Sequence, residues 1–338
     1  MKILAIGDTH FKDNLSYADY ISDKRVGEKK EILDFIIKSS ADCDSVVLMG
    51  DCFDSKNPSA QTVRDFVSFI ESFKDKDVYM ISGNHSKKGD GTTALDFLKE
   101  IKNKPNWHVF TKPGKANLGP LQVDFLPFML SSELGVEDSR QAEKKMVNDM
   151  EGGDIIFAHH AISGTTFNGM KTDDLSEPVL NKEKLEEKFR LVVAGHIHTP
   201  QQYGNVLITG NLFTIEVGET EKFIFKINED LKVEKIKVPA RAIHKLVDPT
   251  TKELSSIASS SIVKVILTNK KVSPEELKEQ LSRFDANLLV EDYPDERKKA
   301  HIQEGAFDFS LTALLKLYSE EKGVDLQKLM KGLQIING

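Results

Sequence analysis

The chain has 338 residues, is 39% hydrophobic and 29% charged, and carries a net charge of -7. This is the balance of a globular, water-soluble protein with room for one large domain and something smaller, and it argues against binding nucleic acid through the overall field, although local cations can override that. No apolar run approaches the roughly 18 residues of a membrane span. The two cysteines, Cys43 and Cys52, form neither a disulfide framework nor a zinc-ligand spacing, as expected of a cytoplasmic protein.

In chain order, "MKILAIGDTH" reads as a first strand and not as a secretory leader, because Asp8 cuts the apolar run short. Five further β-branched runs follow: "SVVLM", "VYMI", "DIIFA", "LVVA" and "VLIT". Amphipathic segments such as "GEKKEILDFIIKS" and "SAQTVRDFVSFIESF" separate several of them, which predicts an α/β architecture with a sheet covered on both faces. "EKFIFKINEDLKVEKIKV" then alternates apolar and polar residues, as half-exposed antiparallel strands do. "PARAIHKL", from Pro239, reads as the exit from the main domain.

Beyond it, "SSIVKVILT", "SPEELKEQLSRF" and "ANLLVEDY" predict a strand, a helix and a strand, with Ser273, Pro274 and Glu276 as a helix start. The tail carries an apolar face at Leu311, Leu314, Leu315 and Tyr318, a helical spacing that needs a surface to cover it. Two cation-rich runs, "DKRVGEKK" and "HSKKGDG", read either as solvated surface or as local anion contacts. His108, His244 and His301 stand alone and read as surface or core residues.

The strand ends carry the chemistry. Successive runs stop at Gly7-Asp8-Thr9-His10, Gly50-Asp51-Cys52-Phe53-Asp54, Gly83-Asn84-His85, His159-His160 and Gly195-His196-Ile197-His198. In open α/β sheets ligands bind beyond the carboxyl ends of strands, so these groups are expected to converge. If extended geometry continues past Gly195, His196 and His198 project to one side like a pincer; the alternative is two histidines in a turn. The donors Asp8, His10, Asp51, Asn84, His159, His196 and His198 are too many for one transition metal and suit two ions sharing Asp51. Mixed imidazole and oxygen ligation suits Mn, Fe, Zn or Co better than Ca or Mg.

The series D-x-H, GDxxD, GNH, H and GHxH over about residues 8–198 resembles the calcineurin-like metallophosphoesterase superfamily. "GDCFDSKNPS", "GNHS", "VDFLPFM", "GMKTDDLSEP" and "GHIHTP" are further similar to the SbcD family of double-strand-break repair nucleases, especially phage recombination endonuclease subunits. The resemblance implies a β-sandwich flanked by helices over 1–240, a small α/β DNA-capping domain over 241–300, and a helical segment over 301–338 that binds an SbcC-type coiled-coil ATPase.

It also implies one ion held by Asp8, His10, Asp51 and His198 and a second held by Asp51, Asn84, His159 and His196. His159 is preferred to His160 because it directly follows the strand, as in the family, and His85 is the catalytic residue facing the scissile phosphate. Two divalent ions, Mn2+ foremost, a homodimer, exonuclease action on double-stranded DNA ends and endonuclease action on single-stranded DNA are the implied properties.

Departures from the pattern are Ser86, where relatives carry an acid, and Phe11 and Lys12, where they carry Leu-Gly. The acid would orient and support His85, so its replacement bears on that residue's strength as an acid, whereas Phe11 and Lys12 are expected to alter loop shape more than chemistry. The competing readings are a stand-alone metallophosphoesterase for a small ester, and a non-catalytic scaffold on the same fold.

Overall fold

The structure, a computed structural model, describes residues 1–290 apart from 16–20, 90, 102, 168–169, 220, 269–276 and 278–279. The expected helical tail, and the start of the expected helix at Ser273, lie outside the described residues.

Strand β1 (Lys2–Ile6) leads to α1 (Ser22–Ser39), β2 (Ser45–Leu48), α2 (Ala60–Glu71), β3 (Asp77–Ile81), α3 (Asp96–Lys99) and β4 (Trp107–Phe110). Then come β5 (Gly114–Leu118), β6 (Leu121–Leu126), α4 (Ser139–Asp149), β7 (Gly153–Ala158), the short pair β8 (Thr166–Phe167) and β9 (Met170–Lys171), and α5 (Lys182–Lys188). Next are β10 (Phe189–Ala194), β11 (Gln201–Tyr203), β12 (Val206–Ile208), β13 (Phe223–Asn228) and β14 (Val233–Lys237). The last are β15 (Ile243–Val247), α6 (Thr251–Ser256), β16 (Ile262–Leu267) and β17 (Asp285–Val290). Side-chain caps start the helices where the sequence offers them: Ser59 accepts from the Thr62 N–H, Asp138 from Gln141, and Asn181 from Lys184.

Two six-stranded sheets carry the fold, in the orders β14-β13-β1-β2-β3-β4 and β11-β12-β10-β7-β6-β5. In each, four adjacent strands run parallel. Alternate residues of the same strand serve different layers. Ile3, Val47 and Ile81 face Phe125, Phe157 and Val193 of the other sheet, while Leu4, Val46 and Met80 pack under Ile32 and Ile36 of α1 and Phe66 and Phe69 of α2. Ile156, Val192 and Ile208 pack on Met146 of α4 and Leu185 of α5.

The sequence-based expectation of one sheet covered on both faces is therefore corrected to two, each covered by the other on one side and by helices on the other. The burial per strand is the same, so the apolar runs do not distinguish the arrangements. Two facing sheets flanked by helices are the β-sandwich that the resemblance implied.

A second correction concerns "DKRVGEKK". Arg25, Glu28 and Lys29 are buried together with Ile32 and Ile36, because spacings of three and four residues put them on the inner face of α1. Arg25 bonds Glu28 at 2.5 Å and the Thr214 carbonyl. The run is neither solvated surface nor open to an anion over these residues.

A three-stranded sheet, β15-β16-β17, is wholly parallel. The expected strands "SSIVKVILT" and "ANLLVEDY" pair directly, and "IHKLV", which begins within "PARAIHKL", adds a third strand. Its core is Leu254, Val263, Val265, Leu267, Leu277, Leu281 and Phe284. Asp285 receives Lys24 of α1 at 2.6 Å and Arg241 at 2.5 Å. Among the described residues, no helix is long and apolar enough to cross a membrane.

Candidate metal centre

The carboxyl ends of β1, β2, β3, β7 and β10 meet at one rim where the two large sheets face each other. The first sheet supplies Asp8, His10, Asp51, Asn84 and His85, and the second His159, His196 and His198. Asp8 and His159 are fully buried, and His10 and Asp51 are 1% exposed. His85 is exposed.

The backbone is bent to achieve this. His10, Asp51 and His196 have φ of 39°, 38° and 79°, a left-handed conformation that costs a non-glycine residue of order 1–3 kcal/mol. Such strain is retained at functional sites where the surrounding structure over-determines it. The glycines of the motifs make room. A Cβ on Gly50 would stand 2.0 Å from His159 Nδ1, and one on Gly83 would stand 2.1 Å from Asp51 Oδ1.

The pincer expected of His196 and His198 does not form. The positive φ at His196 ends the extended run, and the two rings part. His198 Nε2 lies 3.1 Å from His10 Nε2, whereas His196 Nδ1 lies 3.0 Å from Asn84 Oδ1. His159 Nε2 is 3.1 Å from the same amide oxygen and 3.2 Å from Asp51 Oδ2.

Ligand atoms of Asp8, His10 and His198 fall within 4.8 Å of one another, as do those of Asp8, Asp51 and His159. Asp51 also groups with His10 and His85, so it adjoins both sets. Two imidazole nitrogens at 3.1 Å oppose lone pairs unless a proton or a cation lies between them. This donor chemistry, carboxylate and amide oxygens with neutral imidazoles, fits divalent cations.

The charges compensate internally. Burial disfavours ionisation of both Asp51 and His159. The Asp51 and Asp8 carboxylates nevertheless hold His159 up at about 9. His159 and His10 in turn keep the Asp51 carboxyl well below the usual carboxylate range. Cation binding here must release protons.

His160 stands apart from the cluster. It is fully buried, accepts the Met129 N–H through Nε2 at 3.2 Å and stacks on Phe128. Burial, with His196 and His159 nearby, pushes it down to about 3, so it is a neutral core residue.

Around the cluster, each imidazole turns its other nitrogen to an acceptor. His10 Nδ1 lies 3.2 Å from Asp54, His159 Nδ1 2.8 Å from the Met49 carbonyl, His196 Nε2 2.5 Å from Glu177, and His198 Nδ1 3.5 Å from Glu219. Sequence reasoning did not single out Glu177 or Glu219. Glu177 falls within the quoted "GMKTDDLSEP", but nothing in its spacing sets it apart from its neighbouring acids. Glu219 lies in a loop with no periodic pattern.

Ser86 is fully buried, its hydroxyl 3.5 Å from the Gly83 carbonyl. The His85 ring instead addresses the Asp54 carbonyl through Nδ1 at 3.3 Å, and its backbone N–H donates to Asp51 at 2.9 Å. Lys87 of the cation run "HSKKGDG" is buried and paired with Glu133 at 2.8 Å, so it is not available for an anion contact. Phe11 belongs to the aromatic core against Phe66, Phe69 and Phe213, and Lys12 pairs with Asp54. The cleft over the centre, about 290 Å³, is lined by His85, Phe167, Glu177, His198 and Glu216 among others.

Residues 1–200 match the calcineurin-like phosphoesterase family. The DNA double-strand break repair proteins Mre11 of Methanosarcina acetivorans and Methanosarcina mazei are each 31% identical over 105 residues, 30% of this chain. The match spans only 16% of the length of those relatives. Among solved structures, the Haemophilus influenzae NAD nucleotidase NadN aligns with 95% of this chain and 60% of its own at a TM-score of 0.37 and 11% identity.

Proposed function

Because the chain belongs to the calcineurin-like phosphoesterase family, we propose that it is a two-cation phosphodiesterase that cleaves DNA, as the nuclease subunit of an SbcCD-like repair or recombination complex. The observation that carries the reading is the convergence of Asp8, His10, Asp51, Asn84, His159, His196 and His198 from five strand ends, with exposed His85 beside Asp51. Asp8, His10, Asp51 and His198 would hold one cation, and Asp51, Asn84, His159 and His196 the other. Manganese is the proposed metal, since the set is rich in imidazole. Bound there, two divalent cations supply an acidified water and charge neutralisation at phosphorus.

The chain's own contribution is positional and protonic. Asp51 keeps the two ligand sets together and fixes the His85 backbone. With Nδ1–H of His85 directed at the Asp54 carbonyl, proton exchange with the leaving sugar oxygen falls to Nε2. The Asp54 carbonyl thereby orients the ring in the absence of an acid at Ser86.

DNA as substrate is supported by the Mre11 likeness over 105 residues. Exonuclease action on double-stranded ends and endonuclease action on single strands, capping by 241–300, binding of an SbcC-type ATPase by 301–338 and homodimerisation belong to the same proposal. One observation favours the second reading, a stand-alone esterase for a small phosphodiester. Glu177 and Glu216 line the cleft, and Arg25, Lys29 and Lys87 are buried. A scaffold role is disfavoured by the presence of all seven donors.

The test is cleavage of end-labelled duplex DNA and of a bis-aryl phosphodiester with manganese or magnesium, with and without an SbcC-type ATPase, beside His85→Ala. Manganese-dependent degradation from DNA ends that the variant loses, while keeping its metal, is the expected result. Hydrolysis of the small ester alone, unchanged by the ATPase, selects the second reading.

A further inference from the structure

The four imidazoles of the centre are not held alike. His10, His159 and His198 turn Nε2 inward, whereas His196 turns Nδ1 inward, to 3.0 Å from Asn84 Oδ1. The positive φ at His196 sets the ring apart from its strand and presents it sideways to the cluster. A ring bound through Nδ1 carries its proton on Nε2, and that N–H must meet an acceptor if the tautomer is to be fixed. Glu177 Oε1 meets it at 2.5 Å.

Glu177 comes from none of the strand ends. It lies in the segment between β9 and α5, which is fastened on both sides. The Ser139 hydroxyl at the start of α4 donates to the Ser176 carbonyl at 2.7 Å, and the Leu180 N–H donates to the Ala161 carbonyl at 2.9 Å. The carboxylate is thus held against His196 by a segment anchored at the start of α4 on one side and just beyond His159 on the other. Its side chain keeps 26% exposure, facing the cleft and an adjoining groove.

We infer that Glu177 is the positioning residue of the second cation site: it locks His196 as an Nδ1 ligand and so governs occupancy of the site formed with Asp51, Asn84 and His159. The inference rests on the two-cation reading above. Glu219 serves His198 in a related way, but it also holds Asn211, the Ile215 and Glu216 N–H groups and Lys222. A change there would mix folding with positioning, so Glu177 is the cleaner probe.

The experiment is equilibrium Mn2+ binding to the full chain, with electron paramagnetic resonance to separate paired from single ions, on wild type, Glu177→Ala and Glu177→Gln. Two ions per wild-type chain, exchange-coupled as a pair, support the underlying reading, and fewer than two refute that reading on their own. Given two, Glu177→Ala is expected to bind the first ion as wild type does and the second about 10- to 100-fold more weakly, giving the spectrum of isolated Mn2+ at one equivalent. Glu177→Gln, whose amide oxygen still accepts the Nε2–H, is expected to restore pairing in large part and controls for folding. Two coupled ions at wild-type affinity in Glu177→Ala, or weakening of both sites equally in a folded Glu177→Gln, overturns the assignment.

Discussion

At the rim where the large sheets meet, Asp8, His10, Asp51 and His159 are each at most 1% exposed. The three-stranded sheet closes instead on Leu254, Val263, Val265 and Leu277, and its ion pairs gather on Asp285 at the start of β17. Both regions are built on parallel strands. The small sheet gains from burying apolar surface and exposes its charges to partial solvation, whereas the rim removes carboxylates and imidazoles from water at several kcal/mol per ion and recovers this only through mutual pairing. The difference teaches where the fold serves itself and where it serves chemistry: the rim is kept in spite of its folding cost.

The largest effect should come from Asp51→Asn. If Asp51 joins both ligand sets, this variant loses both manganese equivalents and about a thousandfold in phosphodiester hydrolysis, roughly 4 kcal/mol in the barrier, while the metal-free protein melts within a few degrees of wild type. Metal analysis with calorimetry checks this: two retained ions would remove Asp51 from the ligand sets, and a large fall in melting temperature would make it a folding residue. Leu254→Ala acts in the opposite direction. It should cost about 2–5 kcal/mol of stability in the small sheet, measured by denaturant unfolding, yet leave hydrolysis of a small aryl ester at 25 °C unchanged. A parallel loss of ester hydrolysis would mean that the rim depends on the small sheet.

The mildest test uses the cysteines as reporters. Burial pushes the Cys43 thiol up to about 11, and Cys52, beside the Asp51 and Asp8 carboxylates, is raised further. A raised folded value means that the fold retains the thiol proton, so the contribution to stability is intact below the ordinary value of 9.0 and declines as the pH rises above it. Disulfide-reagent labelling at pH 8 should therefore be slow for the native chain and fast once it is unfolded. Rapid native labelling of Cys52 would show that water reaches the rim.

Much of this architecture was legible in the sequence. The six apolar runs became strands, and the polar groups that end five of them form the rim. The partition into two sheets was legible only through the family resemblance and not in the apolar runs, because Val47 facing another sheet and Val46 facing a helix are equally buried. The pincer failed because strand periodicity cannot anticipate a φ of 79° at His196. The cation run of α1 misled because Arg25, Glu28 and Lys29 share the spacing of the apolar stripe and pair where that stripe is buried. Glu177 and Glu219 reach the site through loops, where neither periodicity nor spacing encodes direction.

The first strand sits inside its sheet, between β2 and β13. Ile3 pairs with Ile227, and Asp8 bridges to Asn211. During synthesis, at about 5–20 residues per second, β1 therefore waits roughly 10–45 s for its antiparallel neighbour. In that interval its ladder groups and apolar face stand open on the nascent chain, a high-contact-order topology that folds slowly and exposes an unpaired edge. Asp8 likewise has no His198 to meet until β10 has been made, so the cleft lacks its full set of donors until the second sheet is under way.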